Sequence, residues 1–285
     1  MNECFKFARG HGGKAVLEAG NSHIENSFEI LSEEHRHWKC PLPPMPPFWF
    51  RRAMRMLEEG VDYVVSPSSY VTKSFLARGF RPDQILEIAF PPFDFSLFNP
   101  ATEPRPESRP LTLINTGSLS LRKGTPYLLE AFRIVRSKIP SARLRLKRNI
   151  EDSVRHIVPK YSDLAIEWLP ATPYAQLPEQ LCDADLFILP SLEEGLARVT
   201  CEAMACGLPI IVTPHTGADD FVQPGVSGEI VPIRDPQATA DAVLKWADRI
   251  LSPGWQPRVL ANLEPLSPDY FEKKFITKLQ RVGLA

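Results

Sequence analysis

From residue 111 onward, short apolar runs alternate with stretches whose apolar residues recur at helical spacing. Leu111 to Thr116, Ala142 to Leu146, Leu164 to Trp168, Asp185 to Pro190 and Leu208 to Thr213 read as strands. Leu128, Leu129, Phe132, Val135 and Ile139 follow Pro126 along one helical face. Ala240, Val243, Leu244 and Ala247 do the same after Asp235-Pro236, an N-cap with a first-turn proline. Strand and helix in alternation predict a parallel sheet covered on both faces, an α/β, doubly wound, Rossmann-like domain. Before residue 99 the pattern is similar but shorter. Ala15 to Glu18, Tyr63 to Val65 and Ile85 to Ala89 read as strands, and Phe28 to Glu34, Phe48 to Glu59 and Ser69 to Arg78 as helices, the last stopped by Gly79.

Between these halves Asn99 to Pro110 is polar and proline-rich, which reads as an interdomain linker over 100–110. The expected division is then a partial first domain at 1–99, a second domain at 111–262 and a C-terminal helix within 263–285. In that helix Phe271, Phe275, Leu279 and Val282 share one face and would pack on one of the domains. Three strands make a poor free-standing sheet. Either the first half leans on the second, or the chain begins partway through a larger α/β domain; the second is the reading adopted.

Composition narrows the chemistry. Lys plus Arg at 33 against Asp plus Glu at 34 gives no global attraction for nucleic acid. Five cysteines without a CxxC pair argue against a disulfide framework or a structural zinc site, and His35, His37 and Cys40 lack a fourth ligand of suitable spacing. No apolar run is long enough to span a membrane. The segment from Pro43 to Met56, with Phe48, Trp49, Phe50, Arg51, Arg52 and Arg55, has the composition of a membrane-surface contact, although Glu58 and Glu59 favour a packed helix. Arg143, Arg145 and Lys147 alternate with Leu144 and Leu146, which reads as a solvated edge strand.

The most informative stretch is Pro190-Ser191-Leu192-Glu193-Glu194-Gly195-Leu196-Ala197-Arg198, followed by Glu202-Ala203-Met204-Ala205-Cys206-Gly207-Leu208-Pro209. It runs strand, loop, helix, strand, and ligands of parallel sheets sit beyond the carboxyl ends of strands. The amides of Gly195, Leu196 and Ala197 would be free donors at a helix start, suited to a phosphate oxygen, and Glu194 and Glu202 would accept from hydroxyls beside it. A sugar linked to a nucleotide offers both.

This stretch resembles the signature of retaining GT-B glycosyltransferases of the group 1 type, the glycogen synthase and sucrose synthase-like enzymes. Thr116-Gly117-Ser118 through Arg122-Lys123-Gly124 to Phe132 is similar to that family's phosphate-lysine segment, and Thr216 to Asp220 and Gly225 to Gly228 are similar to its later glycine loops. The resemblance implies two Rossmann-like domains, the N-terminal one incomplete here, and transfer of a sugar from a nucleotide-sugar donor to a hydroxyl of a glycan or lipid-linked acceptor in polysaccharide biosynthesis. It implies retained configuration, no metal or other cofactor, and a cytoplasmic setting with peripheral contact at the inner membrane face. By the same resemblance Glu202 holds the ribose, Glu194 contacts the donor sugar and Lys123 neutralises the diphosphate. Gly195, Leu196 and Ala197 complete the anion site, and His23 is the donor-facing histidine.

Departures shape these expectations. Gly117-Ser118 stands where Gly-Arg is usual, so one diphosphate contact is either missing or moved to Arg122, and Gly195-Leu196-Ala197 replaces Gly-Phe-Gly. Taken singly, Lys123 also reads as a solvated lysine, His23 and His215 as loop histidines, and Cys201, Met204 and Cys206 as core. The rival functions are a noncatalytic donor-binding remnant and a nicotinamide-dependent enzyme; against the latter, no Gly-x-Gly-x-x-Gly follows the strand at Leu111.

Overall fold

The computed structural model describes residues 7, 9–41, 52, 54, 60–89, 94–254 and 263–284. It divides into two compact units, Met1–Phe93 with Glu264–Ala285, and Asp94–Leu263.

The first unit holds a parallel three-stranded sheet in the order β1 (Val16–Glu18), β2 (Tyr63–Ser66), β3 (Ile85–Glu87). Successive side chains of a strand point to opposite faces, and β2 shows the consequence. Val64 packs with Ala19, Val71 and Phe75, the last two from α2 (Ser69–Leu76), whereas Val65 packs with Leu86 and Ile88 against Phe271, Phe275, Leu279 and Val282. The first three line the C-terminal helix, α7 (Pro268–Arg281), and Val282 is its C-cap, so this helix covers the sheet built by β1 to β3. Helix α1 (Ile24–His37) starts at His23. The helix expected over Phe48 to Glu59 and the surface segment from Pro43 lie largely outside the described residues.

The second unit carries six parallel strands in the order β6-β5-β4-β7-β8-β9: β4 (Thr112–Asn115), β5 (Arg143–Lys147), β6 (Ile166–Leu169), β7 (Leu186–Leu189), β8 (Ile210–Val212) and β9 (Gly228–Ile230). This is the doubly wound order, with its switch point between β4 and β7, where Leu113 pairs with Leu186 and Ile114 with Phe187. The helices are α3 (Thr125–Lys138), α4 (Leu177–Cys182), α5 (Arg198–Ala205) and α6 (Pro236–Ile250). α3 packs on α6, burying Leu128, Leu129, Phe132 and Val135 together with Trp246. Asp235 caps α6 by accepting from the Ala238 amide at 2.8 Å, with Pro236 in the first turn. Among the described residues no helix is long and apolar enough to cross a membrane.

Three expectations change. β9 and α4 were too short to stand out from the pattern. β5 is internal, flanked by β4 and β6, and the middle arginine of its basic face is ion-paired: Arg145 meets Glu167 at 2.9 Å and Asp183 at 2.7 Å. The segment read as a linker over 100–110 lies within the second unit, because its arginines find a buried partner. Arg105 meets Asp185 at 2.8 Å with side chains only 5% and 1% exposed, Arg109 reaches the same carboxylate, and its other oxygen accepts from the Thr112 amide at 2.8 Å. Proline content suggests a spacer; the charges decide otherwise.

Removing one member of a buried ion pair leaves the other uncompensated. Asp185→Ala is expected to destabilise the second unit by about 3–5 kcal/mol, read from urea unfolding, and a loss under about 1 kcal/mol would mean that the cluster is solvent-screened after all.

A basic and acidic cluster at the sheet switch point

The loops that follow β4 and β7 lie side by side at the carboxyl end of the sheet. Asn115, the last residue of β4, fastens them: its Nδ2 donates to the Ile188 carbonyl at 2.7 Å and its Oδ1 accepts from the Gly117 amide at 2.8 Å. The first loop then tightens, with Ser120 and Thr125 exchanging backbone and hydroxyl bonds, and its Arg122 carbonyl accepts from the Leu192 amide at 2.8 Å. Gly124 makes this approach possible. Its φ is +66°, and a β-carbon there would run into the Pro190 carbonyl. At Gly117 an added β-carbon would stand 3.2 Å from Asn115 Oδ1, the oxygen that fastens the loop, and in ordinary contact with the Lys123 stem.

This packing brings together three of the residues picked out from sequence, Arg122, Lys123 and Glu194. Glu194 is 6% exposed. Its Oε1 takes Lys123 Nζ at 2.5 Å and the Ser191 hydroxyl at 3.0 Å, and its Oε2 takes Arg122 at 2.7 Å. Arg122 also donates to the Glu193 carbonyl at 3.1 Å. Burial works against the Arg122 charge, yet Glu194 and its neighbours more than offset it and raise the guanidinium pKa further. Two fixed cations therefore converge at the switch point beside the start of α5, a place of positive helix-end potential.

The β7 loop is held from its other side as well. Thr213 donates to the Ser191 carbonyl at 2.5 Å, and His215 Nδ1 donates to the Leu192 carbonyl at 2.7 Å. Burial lowers the His215 pKa, which suits a neutral ring in that bond. The Ala197 amide donates to the Thr216 carbonyl at 2.9 Å, so of the three amides expected to be free, this one is already engaged. Gly195 is buried and Leu196 half-buried, and the Leu196 amide has no partner among the described residues. No side chain caps α5 at Ala197.

Glu202 sits one turn into α5 and is 3% exposed. Burial holds its carboxyl above the usual carboxylate range, against opposing pulls from a Tyr174 hydrogen bond and the charges of Arg198 and Lys147. Tyr174 is the residue that sequence reasoning missed: its hydroxyl donates to Glu202 Oε1 at 3.0 Å. No motif announces it, because the contact comes from the β6–α4 loop. Ser191, to which the motif assigns no task, orients Glu194 through its hydroxyl.

His23 belongs to the first unit. It is 1% exposed, its Nδ1 accepts from the Glu25 amide at 3.3 Å as the cap of α1, and its ring meets Phe75 edge-on at 5.0 Å. Burial lowers its pKa. Within its own unit this histidine serves as a neutral cap, a use the donor-facing expectation did not include. Among the described residues no group of three or more His, Cys, Asp or Glu side chains could hold a metal ion.

Comparison with known proteins falls on the same cluster. Residues 110–249 match the family described as Glycosyl transferases group 1. WcaL of Salmonella typhimurium, named for colanic acid biosynthesis, is 33% identical over 140 residues, 46% of this chain and 34% of WcaL. The GDP-mannose-dependent alpha-(1-6)-phosphatidylinositol monomannoside mannosyltransferase of Mycobacterium tuberculosis is 28% identical over 262 residues, 82% of this chain and 64% of that enzyme. The chain thus spans about a third of WcaL and under two thirds of the mannosyltransferase. Among solved structures, Anabaena HepE in complex with UDP matches at a TM-score of 0.69 with 18% identity, over 98% of this chain and 73% of HepE. Sucrose-phosphate synthase from Thermosynechococcus elongatus matches at 0.68 with 22% identity, over 95% and 69%. The segment carrying the cluster is thus similar to the group 1 glycosyltransferases, and the fold is GT-B-like.

Two outcomes follow from this geometry. Gly124→Ala forces a left-handed backbone and a clash with Pro190, and is expected to cost at least about 2 kcal/mol in urea unfolding; a neutral result would show that the two loops can separate. For Glu202 the folded pKa is raised, so its contribution to stability is fully present below the unfolded carboxylate range and lost as pH rises through the folded value. Glu202→Gln should therefore melt above the native chain at about pH 7, with the gap closing toward about pH 4. A gap that widens on acidification would contradict the burial argument.

Proposed function

We propose that the chain takes a nucleotide-sugar donor at the β4–β7 switch point and transfers the sugar, with retained anomeric configuration, to a hydroxyl of a glycan or lipid-linked acceptor. The observation that carries this reading is the convergence of Arg122 and Lys123 on Glu194 at the start of α5, with Glu202 buried one turn further on. Cations and helix-start amides suit a diphosphate, and buried carboxylates suit sugar hydroxyls. The names of the relatives point the same way: one is a GDP-mannose-dependent mannosyltransferase, and HepE was solved with UDP and with UDP-glucose.

In this reading Glu202 accepts from the ribose hydroxyls, Arg122 and Lys123 hold the diphosphate with the Leu196 amide, and Glu194 meets the donor sugar. As the bond from the anomeric carbon to the phosphate oxygen breaks, negative charge grows on the leaving diphosphate. Cations already fixed by Glu194 stabilise that charge without reorganising. The acceptor oxygen bonds to the anomeric carbon on the face the phosphate leaves, and its proton passes to the departing phosphate oxygen. A buried Glu194 also keeps Lys123 and Arg122 from collapsing onto other carboxylates before the donor arrives. Ala197 takes no amide part, since its N–H is spent on Thr216.

Calorimetric titration with UDP, GDP and ADP tests the donor site. One of them is expected to bind, Glu202→Ala to weaken it by about tenfold or more, and Lys123→Ala to lower donor turnover by about a hundredfold. Unchanged affinity in Glu202→Ala would sink the ribose assignment. Binding without turnover of the matching nucleotide-sugar would leave a donor-binding protein and remove the transfer step.

A further inference from the structure

Tyr174, on the loop between β6 and α4, covers the carboxylate that the proposed function gives to the ribose. Its hydroxyl donates to Glu202 Oε1 at 3.0 Å, and Arg198 donates to the phenol oxygen at 3.4 Å. The ring stands edge-on to Phe98 at 5.6 Å. Glu202 Oε2 is buried and has no hydrogen-bond partner among the described residues. A ribose presents two neighbouring hydroxyls, and a carboxylate takes such a pair with one oxygen for each. Here one oxygen is engaged and the other is shut away.

We infer that Tyr174 is a latch on the ribose subsite, whose hydroxyl must leave Glu202 before a nucleoside diphosphate can take that carboxylate. The inference rests on the reading of Glu202 as the ribose acceptor. Three observations make a latch of this contact rather than a permanent support. The closed loop leaves polar atoms unsatisfied among the described residues: besides Glu202 Oε2, the hydroxyl of Thr172, two residues before the tyrosine, is buried without a partner there. Buried polar atoms are nearly always paired, so a closed state that strands two of them has something to gain by opening. Tyr174 is 47% exposed, so its ring can swing outward while uncovering little apolar surface. What opposes opening is the hydrogen bond to Glu202, the longer one from Arg198 and the edge contact with Phe98.

The phenol and the ribose then compete for one acceptor, and each excludes the other. Arg198, the first residue of α5, donates to the phenol in the closed state and stays at the mouth of the subsite when the ring departs. Closed, the loop shields a carboxylate that burial already penalises; open, it exposes that carboxylate to the ligand. Donor binding would be weaker than the subsite alone allows, and release of the spent nucleotide correspondingly easier.

Calorimetric titration of the native chain, Tyr174→Phe, Tyr174→Ala and Glu202→Ala with UDP and GDP, and with their 2′,3′-dideoxy forms, decides the matter. Tyr174→Phe is expected to tighten binding of the ribonucleoside diphosphate by about tenfold, the worth of one hydrogen bond to a charged group, and to leave the dideoxy form unchanged. Tyr174→Ala should show the same split. Equal or weaker binding of the ribo form by both tyrosine variants overturns the latch, and so does an equal gain with the dideoxy form, which would mark a general loosening. Unchanged affinity in Glu202→Ala overturns the ribose reading itself, and the latch with it. If the native chain binds neither nucleotide, binding by a tyrosine variant supports the latch in its strongest form; failure of every variant overturns both.

Discussion

Glu194 is a carboxylate at 6% exposure, and a charge so placed must be neutralised where it stands. Its partners come from another loop: Lys123 and Arg122 follow β4, whereas Glu194 follows β7. The two loops are therefore held in register by electrostatics, and the register decides what the cluster can do. Without Glu194, two cations would face one another across a closely packed turn. With it, they form a basic pair whose geometry is fixed by the fold. Ser191, donating to the same carboxylate, settles which oxygen faces which cation.

That arrangement depends on backbone approaching backbone. Gly124 lies against the Pro190 carbonyl in a left-handed conformation, and the Leu192 amide bonds the Arg122 carbonyl. β7 is pinned at its other end too, where Asp185 gathers Arg105, Arg109 and the Thr112 amide. A central strand secured at both ends fixes the loop it delivers. Buried charge pairs are poor sources of stability when compared with apolar packing, yet at these two places they specify how the loops meet.

Glu202 is the counterweight. Its burial costs the ionised form, and the structure relieves that cost only in part, through the Tyr174 hydroxyl and the more distant charges of Arg198 and Lys147. The phenol in turn is pushed up to about 12 by burial and by the Glu202 charge, so it remains a donor throughout the neutral range. Burying this carboxylate is thus a cost that the packing around α5 has to offset.

The alternation of apolar runs with helical spacing determined the second unit's class of fold, because period 2 and period 3.6 are properties of the local chain. Asp235-Pro236 announced the start of α6, since a cap acts within one turn. The motif around Glu194, Glu202 and Lys123 was legible for a similar reason: each residue lies in a short loop or helix start whose sequence is nearly its geometry. What the chain alone did not disclose involves partners distant in sequence. The pairing of Arg105 with Asp185 turned an apparent linker into part of the second unit, and the place of β5 inside the sheet turned an apparent edge into an ion-paired interior strand. The Thr216 carbonyl took the Ala197 amide, and Tyr174 came to rest on Glu202 from 28 residues away. Those contacts exist only after the strands have found their order, because charge and hydrogen-bond partners are chosen by distance in space, to which local propensity is blind.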